Sequence, residues 1–166
     1  MNASRHARLL KPILVAAFAA LCVAMLGALM TDIGPWYRGL VQPAWKPPDA
    51  AFGPIWTAIF ALAAAAGVIG WRRAPSRVER EQMLVLFALN AFLNVLWSLL
   101  YFRLRRPDWA LWEVPLLWLS VLALVLFLAR FAKPAAWALV PYLVWVAIAA
   151  ALNWQTVRLN GPFGAG

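Results

Sequence analysis

Five long apolar stretches constrain the fold of this chain more than any other feature of its sequence. They cover residues of about 13–30, 52–71, 83–102, 109–127 and 135–157. A helix needs about 20 apolar residues to cross the hydrocarbon core of a bilayer, so each stretch is about one crossing long. Of the 166 residues 65% are hydrophobic and 13% are charged, which is too apolar for one soluble core of this size. The sequence therefore predicts an all-α integral membrane protein, with one domain over residues 1–166 built as a bundle of five transmembrane helices.

The basic residues give the chain a net charge of +9, but they stand in small clusters between the apolar stretches. Such a distribution is typical of membrane topology signals and not of a nucleic-acid-binding face. The N-terminal segment and the second and fourth loops together carry nine Lys and Arg, against six on the other side of the membrane. This bias predicts a cytoplasmic N-terminus, with the first loop and the C-terminus outside.

The long connection between the first two stretches, residues 31–51, combines four prolines with three aromatic residues. Proline removes backbone donors, so we expect no regular helix here, while the aromatic side chains disfavour a freely solvated loop. Irregular backbone is not tolerated in contact with lipid tails, so we expect this loop to fold back as a lid over the mouth of the bundle. The candidate lid residues are Tyr37, Arg38, Pro43, Trp45, Lys46 and Pro47.

Eleven tryptophans and several amides mark the apolar stretches. Trp71, Trp109 and Trp137 suit an interfacial aromatic belt, whereas Trp97 and Trp145 fall inside spans, where an indole N–H needs a partner. Three helical faces that we expect to turn inward are Asn90, Asn94, Trp97 and Tyr101; Trp109, Trp112, Glu113 and Leu116; and Tyr142, Trp145, Ala149, Leu152 and Asn153. The polar residues of these faces either form hydrogen bonds that hold the helices together or line a shared amphipathic pocket, and we favour the pocket.

The sequence contains no recognisable catalytic or metal-binding motif. The only histidine, His6, lies in the N-terminal segment, so neither a zinc cluster nor haem ligation through histidine is expected. We expect no obligatory cofactor and no catalytic residue, and a ligand held by stacking and burial. Arg38 and Lys46 could meet carboxylates at the edge of such a ligand.

Small residues recur at four-residue spacing in the first stretch, at Ala16, Ala20, Ala24 and Ala28. Such spacing allows another helix to approach closely, which either packing within the bundle or dimerisation would use. We expect a homodimer.

The segment PWYRGLVQPAWKPP, followed by FGPIWT, resembles the signature of the TspO/MBR family, the tryptophan-rich sensory proteins and mitochondrial translocator proteins. LNVLWSLLYF, DWALWE and PYLVWVAIAAALN follow in the order and spacing of that family, so the resemblance covers nearly the whole chain. At the C-terminal end LNWQTVR has Trp154 where the cholesterol-recognition pattern of animal members needs a tyrosine. A bacterial-type member, in a bacterial cell membrane, fits better than a steroid-handling one.

The resemblance implies a five-helix bundle, commonly dimeric, that binds porphyrins such as protoporphyrin IX, or other flat hydrophobic molecules, beneath the first loop. Carried over to this sequence, the ligand-binding residues are Trp36, Phe52, Gly53, Asn94, Trp97, Trp109, Leu116, Trp145, Ala149 and Leu152. The implied function is a membrane sensor that regulates tetrapyrrole or stress responses. Light-dependent degradation of the porphyrin, and transport of a tetrapyrrole or lipid, are the alternatives.

Overall fold

The computed structural model describes the backbone of residues 3–163 and the side chains of residues 10–163. Its helices are α1 (Ala3–Met30), α2 (Pro35–Gly39), α3 (Asp49–Arg73), α4 (Arg77–Ser98), α5 (Pro107–Ala129) and α6 (Lys133–Asn160). A π-helical turn, Leu99–Arg103, extends α4. Five of the helices are long and apolar enough to cross a membrane, which confirms the predicted fold class of five transmembrane helices.

The short helix α2 contradicts the expectation that the proline-rich connection contains no regular helix. Pro35 is at its first turn, where a missing backbone N–H breaks no helical hydrogen bond. Helix α3 also begins at Asp49, three residues earlier than the apolar stretch suggests, because a helix can continue into polar residues beyond the hydrocarbon. The connection that remains irregular around α2, residues 31–48, is called the first loop below.

The bundle packs around α5 and α6, which run side by side, with α3 against α6 and α4 against α5. Helix α1 lies outside, against α3 and α4, and none of its described side chains is buried. Ala110 in α5 and Ala135 in α6 are small residues that are fully buried within the bundle. Ala16 and Ala20 of α1 face α3 and α4 across a cavity, and the homodimer stays a prediction.

Buried amides connect the helices. Asn90 Nδ2 donates to Ser120 Oγ at 2.8 Å, and Asn94 Nδ2 donates to Tyr142 Oη at 3.0 Å. With its amide oriented to satisfy both atoms, Asn153 donates to the Pro107 carbonyl at 2.9 Å and accepts from Leu111 N at 3.1 Å. All three amides therefore hold helices together by hydrogen bonds. This is one of the two alternatives that the sequence offers for them, the other being the lining of a pocket.

The predicted inward face of α5 is wrong in three of its four positions. Trp109, Trp112 and Leu116 are 48%, 84% and 56% exposed on the outside of the bundle, and only Glu113 is buried. The inward face instead follows Ala110, Val114, Leu117 and Val121. Nearly every residue of α5 is apolar, so hydrophobicity does not mark the face that turns inward, and packing between the helices decides it.

Candidate functional site

The first loop lies against the C-terminal end of α6. Val41 N–H donates to Asn160 Oδ1 at 2.7 Å, and Asn160 Nδ2 donates back to the Val41 carbonyl at 2.9 Å. Trp45 Nε1 donates to Gln155 Oε1 at 2.5 Å, one turn away from Asn160 along α6. These contacts hold both ends of the segment Val41–Trp45 on one helix.

A second set of contacts connects the first loop to the start of α3. The Lys46 ammonium forms an ion pair with Asp49, and it donates to Tyr37 Oη at 3.3 Å. Tyr37 Oη in turn donates to Asp49 Oδ1 at 3.3 Å. Burial, and next the neighbouring Asp49 carboxylate, raise the pKa of Tyr37 to about 12, so this hydroxyl stays protonated and remains a donor at neutral pH.

Aromatic rings from three elements meet beneath the first loop. The ring centroids of Tyr37 and Phe102 are 5.6 Å apart, those of Tyr101 and Phe102 are 4.6 Å apart, and those of Trp97 and Tyr101 are 5.1 Å apart. The Lys46 ammonium lies 5.6 Å from the ring centroid of Phe52, which completes the group on the α3 side. These distances are within the range of favourable aromatic and cation–π contacts.

The rings enclose a small cavity of about 50 Å³. Its roof is the first loop and its walls are α3, the end of α4 and α6. The predicted site residues that line it are Tyr37, Pro43, Lys46, Phe52, Trp97, Ala149 and Leu152. The structure therefore brings together predicted residues that are more than a hundred positions apart in sequence.

The other predicted residues lie outside this lining. Gly53 is exposed, Asn94 is engaged with Tyr142, and Trp109 and Leu116 are on the outer surface of α5. Trp145 packs behind Phe52 in an edge-to-face contact at 5.7 Å, and its buried Nε1 has no partner among the described residues. Of the first-loop residues that remain, Arg38 is exposed, Trp45 is held by Gln155, and Pro47 is half-buried away from the cavity.

Trp36, expected as a stacking partner for a ligand, is half-buried at the edge of the site. The Arg105 guanidinium lies 5.9 Å from the centroid of its ring. Arg105 has a φ of 56°, a left-handed conformation that is uncommon for residues other than glycine. The loop after the π-helical turn thus holds a cation over the outer face of Trp36.

Five residues that line the cavity are absent from the predicted ligand-binding set: Gln42, Tyr101, Phe102, Asn153 and Thr156. Tyr101 and Asn153 are on the inward faces that periodicity indicates. Phe102 could not be found in that way, because the π-helical turn departs from the 3.6-residue repeat and brings two consecutive aromatic residues to the same site. Thr156 continues the α6 stripe of Ala149 and Asn153 by one more turn.

The side chains at this site are of the kinds that bind a ligand through non-covalent contacts. Aromatic rings offer flat apolar surface, Lys46 supplies a positive charge beside it, and Gln42 adds an amide, whereas the polar groups of Asn153 and Thr156 are engaged within the bundle. A flat aromatic molecule with an acidic edge has the matching features.

Comparison with known proteins agrees with this architecture. The sequence model of the TspO/MBR family matches residues 14–159. The tryptophan-rich protein TspO of Chlorobaculum tepidum is 40% identical over 130 residues, covering 75% of this chain and 79% of the relative. The tryptophan-rich sensory protein of Cereibacter sphaeroides is 32% identical, with 86% and 89% covered, and the human translocator protein is 29% identical, with 79% and 78% covered.

The matched region begins within α1 and ends within α6, so it includes all five membrane-spanning helices. Together, the five apolar helices and the family match show a multi-pass integral membrane protein. The chain belongs to the TspO/MBR family.

Proposed function

We propose that this membrane protein is a receptor for flat tetrapyrroles of the protoporphyrin IX type, which it binds beneath the first loop to regulate a tetrapyrrole or stress response. The observation that carries the proposal is the convergence of Tyr37, Phe52, Trp97, Tyr101 and Phe102 on one cavity with Lys46 beside them. Indole and phenyl faces stack on a macrocycle, and an ammonium group meets the carboxylates at its edge. The name of the Cereibacter sphaeroides relative, a tryptophan-rich sensory protein, supports the regulatory part of the proposal.

The site must open to admit such a ligand. Its volume of about 50 Å³ is far below the roughly 300–1,000 Å³ of pockets that hold drug-sized molecules. The first loop forms the roof, and its hydrogen bonds to Asn160 and Gln155 are exposed to solvent. Exposed hydrogen bonds contribute about 1 kcal/mol each, so these contacts to α6 oppose lifting of the loop as a lid only weakly, and the buried side chains of Tyr37 and Pro43 supply the rest of the cost.

The distribution of basic residues supports a cytoplasmic N-terminus, with the first loop outside. On that topology a ligand reaches the site from the outer surface of a bacterial cell membrane or from its outer leaflet. Trp145, whose indole N–H has no partner in the part of the chain that the structure describes, would gain one if the ligand displaces the Phe52 ring.

The test is a titration of the purified protein in detergent with protoporphyrin IX, followed in the dark by the shift of its Soret absorption band. We expect saturable binding to one site, weakened about tenfold in Trp97→Ala, because the largest stacking surface of the cavity is lost. Trp137→Ala is the matched control, since Trp137 is exposed at the opposite end of α6. A response that never saturates, or an equal loss in both variants, would contradict the proposal.

A further inference from the structure

A second and much larger cavity, of about 540 Å³, lies between α1, α3 and α4. It shares no lining residue with the cavity under the first loop. Small residues make its walls, with Ala16 and Ala20 on α1 facing Ala64 and Gly67 on α3. This cavity is within the size range of small-molecule and cofactor sites, whereas the cavity under the loop is not.

The cavity is long and opens to the outside of the bundle. On α1 its lining runs from Lys11 to Val23, a helical rise of about 18 Å. The hydrocarbon core of a bilayer is about 30 Å thick, so the chains of one leaflet reach about 15 Å. Val15 and Leu84, which line the cavity, are about half exposed, so a lipid chain can enter from the side. The shape matches one acyl chain of one leaflet.

Positive charge is concentrated at one end of the cavity. Lys11 lines that end, and the guanidinium of Arg80 lies 5.4 Å from the ring centroid of Trp71, another lining residue. Arg80 Nε is buried and has no hydrogen-bond partner among the described residues. An unpaired donor at the end of the cavity that Lys11 also lines is an arrangement that an anion would complete.

The acidic side chains near that end are already engaged. Glu81 accepts from Arg77 Nε at 2.7 Å, and Glu79 accepts from the hydroxyl of Ser76. The described residues that line the cavity include no acidic side chain. Lys11 and Arg80 are therefore available for a ligand from outside the chain.

We propose that this cavity is a binding site for an anionic phospholipid, with one acyl chain lying between α1 and α3 and the phosphate held by Lys11 and Arg80. A flat ring system would leave the length of the cavity unfilled, whereas a chain fills it from the interface to near the midplane. The lipid would supply packing that α1 lacks, since none of the described side chains of α1 is buried. It would therefore stabilise the position of α1 against the bundle.

The test compares two lipids with the same chains, palmitoyl-oleoyl phosphatidylglycerol and palmitoyl-oleoyl phosphatidylcholine, added to the full-length protein in detergent. We expect each addition of phosphatidylglycerol to raise the melting temperature, followed by intrinsic fluorescence, until the effect saturates. Phosphatidylglycerol should bind at least tenfold more tightly than phosphatidylcholine. Native mass spectrometry should retain one phosphatidylglycerol per chain. Equal effects of the two lipids would overturn the anionic part of the proposal.

Charge variants identify the headgroup contacts. Lys11→Gln and Arg80→Gln should each weaken phosphatidylglycerol binding roughly fivefold, the effect of one basic residue near an anionic surface. Arg73→Gln is the matched control, because it removes the same charge from an exposed position at the same end of the bundle. A loss in Arg73→Gln equal to that in the other two would show a general surface charge effect and overturn the site.

A cavity-filling variant tests the acyl chain. A Cβ atom at Gly67 would meet only the Phe87 ring, at 3.9 Å, so Gly67→Leu can extend into the cavity without a backbone clash. We expect this variant to lose the retained lipid and the lipid-dependent stabilisation, while porphyrin binding under the first loop is unchanged. If Gly67→Leu retains the lipid and the lipid-dependent stabilisation at the level of the unsubstituted chain, the proposal is overturned. If Gly67→Leu does not fold, the comparison of Arg80→Gln with Arg73→Gln decides the question.

Discussion

The side-chain amide of Asn160 pairs with both backbone polar groups of Val41, at 2.7 Å and 2.9 Å, and so joins the first loop to the last turn of α6. One amide thus replaces the two backbone contacts that a neighbouring strand would make. Both hydrogen bonds are exposed, so water can replace them when the loop moves away from α6.

Removing this pair should make the site easier to open. Asn160→Leu eliminates the two hydrogen bonds to Val41, together worth about 1–2 kcal/mol, which raises the open population roughly tenfold, and a third one to the Thr156 carbonyl within α6, which does not hold the loop. We expect protoporphyrin IX to associate about tenfold faster in stopped-flow absorption measurements. Thr57→Ala is the control, since the Thr57 hydroxyl only bonds the Gly53 carbonyl of its own helix. An unchanged association rate in Asn160→Leu would show that this contact does not limit access to the site.

Lys46 should discriminate between acidic and neutral ligands. The ammonium group lines the cavity beside Tyr37 and Phe52, whereas the Arg38 side chain is exposed. We expect Lys46→Gln to weaken protoporphyrin IX about tenfold, because a charge-assisted contact is lost, and to leave its dimethyl ester unaffected. Arg38→Gln is the matched control and should change neither affinity by more than about twofold. An equal effect of Lys46→Gln on both porphyrins would argue for packing as the role of Lys46.

Tyr142 and Asn94 should prove to be a structural pair. Tyr142→Phe leaves the buried Asn94 amide without its acceptor, so we expect a loss of about 1 kcal/mol of stability. In the double variant Asn94→Leu/Tyr142→Phe both polar groups are gone, and much of the loss should be recovered. Thermal unfolding of the two variants in the same detergent measures the loss and its recovery. Porphyrin affinity should be the same in all three proteins, and a selective loss in Tyr142→Phe would mean that Asn94 contacts the ligand.

Glu113 should be a destabilising residue of α5. Its side chain is buried, and neither carboxyl oxygen has a hydrogen-bond partner among the described residues. Glu113→Leu removes a polar group whose burial is uncompensated, so we expect about 1–3 kcal/mol of added stability. The control is Asp108→Leu, which should destabilise because Asp108 accepts from Arg106 at 2.8 Å and 2.5 Å. If Glu113→Leu instead lowers the melting temperature and abolishes porphyrin binding, the carboxyl group has a functional partner.

Sequence reasoning identified the inward face of a helix where polar side chains mark it. Phe52, Trp97, Ala149 and Leu152, which the family resemblance implies for ligand binding, line the cavity, and their role in binding stays a prediction. On α4 the amides Asn90 and Asn94 identify the inward face, because an unpaired amide is costly in lipid. On α5 the buried polar markers are Glu113 and Ser120, and the prediction, which did not use Ser120, turned Trp109 and Leu116 inward when they lie outside.

The sequence by itself determined the number of membrane crossings, their approximate positions, and the family, although α1 begins ten residues and α4 six residues before the apolar stretches. These properties follow from the length of each apolar stretch and from local motifs, neither of which needs long-range contacts. Only the tertiary structure decided which face of α5 meets α6, that Asn160 holds Val41, and that the large cavity lies beside α1 and not under the loop. The reason is physical: in a lipid solvent an apolar residue has no preferred side, so shape complementarity between helices chooses the orientation of each one.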